Sequence, residues 1–306
     1  MDGKLNITYI TLDGYVDVSK YRYLYFVIMF ISFILIICFN CTIVCIIVSH
    51  KNLHEPMYIF IAALLMNSAL FSTMLYPKLL IDMLSEKQMI TYQTCLFQWF
   101  VTYSLGISEY FLLSAMSYDR YVSICKPLQY PMIMRKTTVS MFLVLSWLLP
   151  ACQITVPVML SANAKLCHFT FKGISCNSTV YKLHCVTSRL LHIYGLVALV
   201  NTIILPVLFI LFTYTRIFVI TYRSCREVRK KAAQTCLPHL LVLIHFSCLS
   251  VFDVLMVRME NNFPQIVRLI IGLQILLCHP LFNPIIYGLK MKEIHKHIRS
   301  LFSKVM

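Results

Sequence analysis

The sequence predicts an all-α membrane protein, a bundle of seven transmembrane helices with a short amphipathic cytoplasmic helix at its C-terminus. Three observations carry that expectation. The chain is 59% hydrophobic and only 13% charged, against about 25% charged residues in soluble domains. Its charged residues leave seven gaps of at least 20 residues, about the length an apolar helix needs to cross a bilayer core. The charge is also lopsided, 27 Lys and Arg against 12 Asp and Glu, for a formal +15. A chain so apolar and so sparsely charged is a poor candidate for nucleic-acid binding, and its positive excess suits one face of a membrane. With 7 Gly and 11 Pro in 306 residues, a low-complexity or collagen-like chain is excluded.

Along the chain, residues 1–22 read as an extracellular, free N-terminal tail, 23–289 as the seven-span domain, and 290–306 as a cytoplasmic amphipathic tail. The spans are expected at about 23–50, 56–80, 91–118, 137–160, 190–217, 234–257 and 266–289. Each reads as a helix, because a helix satisfies its own backbone polar groups in lipid. A β-barrel would show shorter alternating segments instead. Residues 1–22 carry Asp2, Lys4, Asp13, Asp17, Lys20 and Arg22 and lack the continuous apolar core of a cleavable signal, so span one is expected to be an uncleaved anchor. The longest loop, 161–189, is too short for a second domain, and no repeat or Gly/Ser linker is visible. In the tail, Ile294, Ile298, Leu301 and Phe302 fall at i, i+4, i+7 and i+8 among basic residues. That stripe suits a helix lying on an anionic inner leaflet, which makes membrane lipid an expected partner.

Orientation is set by the loops. An outside N-terminus puts 16 of the 27 basic residues on the inner side, for a net +12 inside and +4 outside, with Glu109 within a span. The positive-inside rule then favours an extracellular N-terminus and a cytoplasmic C-terminus. The outer loop 161–189 resists this pattern with Lys165, Lys172, Lys182 and Arg189. Of 13 cysteines, Cys95, Cys167, Cys176 and Cys185 lie in outer territory, where oxidising conditions permit disulfides; by themselves they leave three pairings open. Asn6-Ile7-Thr8 and Asn177-Ser178-Thr179 are outer glycosylation sequons, and Asn6 is the better acceptor. Asn40-Cys41-Thr42 fits the pattern but lies within span one.

The motifs are more specific. Asp119-Arg120-Tyr121 ends span three, and Asn283-Pro284-Ile285-Ile286-Tyr287 ends span seven; both resemble motifs of the rhodopsin-like G-protein-coupled receptors. The LHEPMY run at 53–58, YPKLL at 76–80, MSYDRYVSICKPLQY at 116–130, TYTRI at 213–217, KAAQTCLPHL at 231–240 and PLFNPIIYGLKMKEI at 280–294 each resemble a segment of the odorant (olfactory) receptors. The ordered set covers the chain from span one to its tail, and the sequence is identified as a member of that family. Ser68 stands where span two commonly carries the acid around which many related receptors bind sodium, and Glu109 matches an acid often found in span three. Phe246-Ser247-Cys248 replaces an aromatic switch sequence in span six. These departures resemble fish-type members.

The resemblance implies a receptor that binds a small odorant in the outer half of the bundle. It would activate a stimulatory heterotrimeric G protein and raise cAMP at the plasma membrane, with no cofactor, metal or nucleic acid. Candidate lining residues are Tyr103, Gly106, Ile107, Val200, Leu205, Val251, Val254, Leu255 and Arg258. Asp119, Arg120, Tyr121, Tyr214, His239, Asn283, Pro284 and Tyr287 would form the activation switch and the G-protein coupling end. Pro284 breaks the helical ladder and gives span seven a place to bend. Glu109 is an ionisable group at mid-membrane depth, a polar hub between helices. The resemblance favours Cys95–Cys176 with Cys167–Cys185, and Cys185 is the rival partner of Cys95. Arg258 and the basic outer loop point to an alternative, a non-olfactory chemosensory receptor for a small carboxylate or amino acid. An enzyme would need a buried HExxH or paired acids, a transporter internal repeats, and a retinal protein a lysine in span seven; none is in the sequence.

Overall fold

The computed structural model describes residues 8–15, 18–186, 189–222, 226–259 and 264–305. Asn6, in the tail, lies outside the described residues. Seven long helices run through the described chain: α1 (Val18–Ser49), α2 (Pro56–Leu84), α3 (Tyr92–Cys125), α4 (Lys136–Ala162), α5 (Arg189–Tyr222), α6 (Arg226–Met259) and α7 (Gln265–Lys290). A shorter helix, α8 (Lys292–Val305), comes after a break at Met291. Every one of the seven helices is longer than the span expected from charge spacing. The reason is physical: a charge ends a hydrocarbon-buried segment but not a helix, which continues into water. At about 1.5 Å per residue, the 34 residues of α3 exceed the hydrocarbon thickness by several turns.

Local chemistry sets the ends and bends. Pro56 opens α2 in the first turn, where its missing N–H is not needed. Thr91 caps α3 by accepting from the backbone N–H of Thr94 at 3.3 Å. A π-helical stretch, Val200–Ile204, interrupts α5. Five helices (α1, α2, α4, α5 and part of α7) are long and apolar enough to cross a membrane on their own composition. α3 falls short because its neighbours, rather than lipid, surround it. It packs on α2, α4, α5 and α6 and buries Gln98, Ser104, Ser108, Glu109, Ser117, Asp119 and Arg120. In α6 the apolar piece is Cys236–Val251, preceded by a charged entry.

Prolines inside helices orphan carbonyls, because a proline has no N–H for the residue four before it. Three such carbonyls are capped from neighbouring helices. Pro284 leaves the Pro280 carbonyl free, and Asn40 of α1 donates to it at 3.0 Å. Pro280 leaves the Leu276 carbonyl free, and the Tyr76 hydroxyl of α2 donates to it at 3.2 Å. Pro157 in α4 leaves the Gln153 carbonyl free, and the Tyr194 hydroxyl of α5 donates to it at 2.7 Å.

One end of the bundle carries a feature the charge pattern did not announce. Three short strands form a sheet of order β2-β1-β3: β1 (Tyr9–Leu12), β2 (Met89–Thr91) and β3 (Thr170–Phe171). β1 is antiparallel to β2, with Ile10 opposite Ile90, and parallel to β3, with Leu12 opposite Phe171. The expectation of a free tail is therefore corrected for Tyr9–Leu12. Ile10 and Leu12 are buried against Ile90, Phe171 and Val180, which offsets the cost of ordering the segment. Gly14 is required where the tail passes the loop, since a Cβ there would sit 2.3 Å from the Gly173 backbone carbon.

Candidate functional site

At the end opposite the strands, α3 holds Asp119 and Arg120 as a buried pair. The Arg120 Nε lies 3.0 Å from Asp119 Oδ2, and the pair's second contact also involves that oxygen. The other carboxylate oxygen accepts from the Tyr130 hydroxyl at 2.8 Å. Tyr130 lies in the α3–α4 loop, and burial together with the Asp119 charge pushes its hydroxyl up, so it stays a donor. Its role was not anticipated, although the expected motif run ends on that residue. Tyr121 is half-buried one residue beyond the pair, its ring 6.5 Å from Tyr118. Tyr214 of α5 is buried, and its hydroxyl has no hydrogen-bond partner among the described residues. His239 of α6 and Tyr287 of α7 meet at 3.3 Å between Nδ1 and the hydroxyl. Asp119, Arg120, Tyr121, Tyr214, His239 and Tyr287 thus lie toward one end, with Arg120 held by Asp119, whereas Asn283 lies deeper.

Deeper in the bundle lies a polar cluster. Asn283 Nδ2 donates to Ser68 Oγ and to Glu109 Oε1, both at 2.9 Å. Glu109 Oε2 lies 2.6 Å from His279 Nε2, an ion-pair distance, and makes no hydrogen bond of ordinary geometry among the described residues. Glu109 is 0% exposed and His279 3%. The imidazole is stacked on Phe246 at 4.6 Å and meets Phe71 edge-on at 5.7 Å. The polar-hub expectation for Glu109 thus acquires a partner that sequence reasoning missed, because one histidine in an apolar helix carries no spacing signal. The residues do not fit a sodium ion. The acid of span two is replaced by Ser68, and nitrogen donors engage both oxygens of Glu109.

Between this cluster and the strands, α3 has room beside it. A Cβ added at Gly106 would meet no heavy atom within 4 Å, although Ser104, Ile107 and Ser108 around it are buried. The α4–α5 loop covers this level. Disulfides join Cys95 to Cys176 and Cys167 to Cys185. The Cys176 N–H donates to Gln98 Oε1 at 2.9 Å, and Tyr103 and Ser178 hydroxyls lie 3.2 Å apart. Asn177 is turned inward, its Oδ1 accepting from the Thr179 N–H and hydroxyl at 2.9 and 2.7 Å.

Not every expected lining residue faces this space. Val200, Leu205 and Val251 are 42%, 52% and 57% exposed, unlike the buried Ile107. The π-helical stretch turns Thr202, 3% exposed, inward instead. In α6 the buried stripe runs His239, Val242, Leu243, Phe246 and Leu249, and Val251 falls off it by helical spacing. The side chains of Val254, Leu255 and Arg258 lie outside the described residues.

Comparison with known proteins places this arrangement. The family described as Olfactory receptor matches residues 26–305. Human olfactory receptor 11A1 is 32% identical over 303 residues, covering 98% of this chain and 95% of its own length. Human olfactory receptor 10A5 is 33% identical over 275 residues, covering 87% and 84%. The chain belongs to the olfactory receptor family. Squid rhodopsin shares the fold, with a TM-score of 0.74 at 17% identity over 95% of this chain and 87% of that one. A member of the olfactory receptor family with this fold is a multi-pass membrane receptor of the G-protein-coupled kind and not an enzyme. The buried Asp119–Arg120 pair and the Asn283–Tyr287 segment are therefore elements of a receptor, and the space beside Gly106 is the natural candidate for its ligand.

Proposed function

We propose that this olfactory receptor binds a small, mainly apolar odorant beside Gly106, Tyr103, Ile107 and Thr202, under the disulfide-tied loop. We infer that it signals through a stimulatory G protein that raises cAMP. The observation that carries the binding reading is the open space at Gly106 on α3, beside the buried Ser104, Ile107 and Ser108. For coupling, the support is the Asp119–Arg120 pair at the opposite end. Opening that pair frees a guanidinium at a helix end, where it re-pairs cheaply. The nearby Tyr214 hydroxyl, unpartnered among the described residues, is a candidate acceptor. In this reading the strand-capped end is extracellular, because both disulfides lie there and need an oxidising environment. α8 then lies along the inner leaflet. Ile294 and Ile298 face α1 and α7, while Lys292, Lys296 and Arg299 line an open recess suited to anionic lipid.

The test is a cAMP reporter assay against a broad odorant panel, comparing the receptor with Gly106→Leu. Leucine fills the space without touching the switch. The expected result is a loss of potency of roughly tenfold or more for the active odorants, about 1.4 kcal/mol, at unchanged surface expression. Unchanged potency across the panel would move the ligand elsewhere.

A further inference from the structure

Glu109 poses an electrostatic question that the odorant reading does not use. A carboxylate fully enclosed within a membrane bundle must be neutralised or paired, since an uncompensated charge there is costly. Its Oε1 accepts one neutral amide donor, Asn283 Nδ2, at 2.9 Å. Among the described residues its Oε2 meets the His279 imidazole, at 2.6 Å. Glu109 and His279 together are neutral whichever of the two atoms holds the shared proton. The imidazole faces two aromatic rings, Phe246 of α6 and Phe71 of α2, a setting that favours a positive ring. His245, also on α6, stacks on Phe282 at 4.0 Å and lies within electrostatic range of both Glu109 and His279.

We propose that His279 is a built-in counter-cation for Glu109, so that this receptor needs no small inorganic cation in its bundle core. A side chain of α7 supplies the positive charge that a free ion would otherwise bring to α3. The charge is held by the chain and cannot be exchanged with the solution. The same ring links α3, α7 and α6 through Glu109, His279 and Phe246. His279 is thus a positioning residue for the resting bundle, and this role rests on the receptor reading given above.

Thermal unfolding of the purified full-length receptor, in sodium chloride against equal choline chloride, tests the proposal without odorant or G protein. The wild-type midpoint should be the same in both salts. His279→Ala should unfold at a lower temperature, and its midpoint should rise in sodium relative to choline, because Glu109 is left needing a cation. Glu109→Gln combined with His279→Ala should lose that sodium response. The exchange Glu109→His with His279→Glu keeps the pair and should behave as wild type, which guards against a His279→Ala receptor that fails to fold. A wild-type midpoint that rises in sodium, a His279→Ala receptor indifferent to sodium, or a sodium-responsive exchanged pair would each overturn the proposal. In cells, replacing external sodium should leave the wild-type half-maximal odorant concentration unchanged and shift that of His279→Ala several-fold. A failure to signal bears on the odorant reading, whereas the thermal measurement bears on this one alone.

Discussion

His184 is enclosed in the loop over the strand-capped end, 6% exposed. The Tyr92 hydroxyl donates to the Ser161 carbonyl at 2.7 Å, so its oxygen is left to accept from His184 Nε2 at 3.1 Å. Burial holds the imidazole below its ordinary value of 6.5. The unfolded chain therefore takes up a proton here before the folded one does. Stability from this residue is fully present above pH 6.5 and is lost as pH falls below it. The unfolding midpoint of the purified receptor should fall between about pH 7 and pH 5, and His184→Gln should flatten that slope. An equal slope in the variant would assign the acid sensitivity to other groups. At the same scale, Asp119 shows how little of a motif its letters reveal. The adjacent Arg120 was legible, whereas the Tyr130 donor that fixes the carboxylate from the next loop was not.

At the scale of elements, the prolines of α7 do more than bend it. Two carbonyls of its ladder are satisfied by Asn40 and Tyr76 from α1 and α2. Asn40→Ala leaves the Pro280 carbonyl buried and unpaired, and a destabilisation of about 1 kcal/mol is expected. Pro284→Ala restores the missing backbone N–H. In that background Asn40→Ala should cost much less, and a double-mutant cycle on thermal stability measures the difference. Equal costs in both backgrounds would dismiss the tie. The helices themselves were readable because a charge-free run of about 20 residues has few other solutions in lipid. Their ends were not, because charge marks the edge of hydrocarbon rather than the edge of a helix. β1 was missed for the opposite reason. Tyr-Ile-Thr-Leu alternates as a half-buried strand should, but four residues in a polar tail give too weak a signal to set against a free coil. The facing of Val200 and Leu205 was not legible because a π-helical stretch in α5 shifts the phase of a regular helix, and no helical wheel anticipates that.

For the whole molecule, the scarce positive charge and the two disulfides point to the same sidedness from independent physics, one from lipid charge and the other from redox environment. A direct check is a glycan on Asn6. Enzymatic deglycosylation of receptor from intact cells should shift its mobility, and Asn6→Gln should abolish that shift. An Asn6 that is never glycosylated, together with an N-terminal tag inaccessible on intact cells, would reverse the orientation. The candidate site divides in the same manner. Its switch end is carried by motifs that are local in sequence, whereas the Glu109–His279 contact joins residues of α3 and α7 that only folding brings together.

The sheet at the capped end also bears on the order in which the receptor matures. β1 precedes α1 in the chain, yet its two neighbours are Met89–Thr91 and Thr170–Phe171. A ribosome delivers the chain from its N-terminus at about 5–20 residues per second. β1 therefore waits through the synthesis of four helices before its second edge is covered. β1 is thus paired on both sides only after β3 has been made, and until then it offers an open strand edge to whatever assists the nascent receptor.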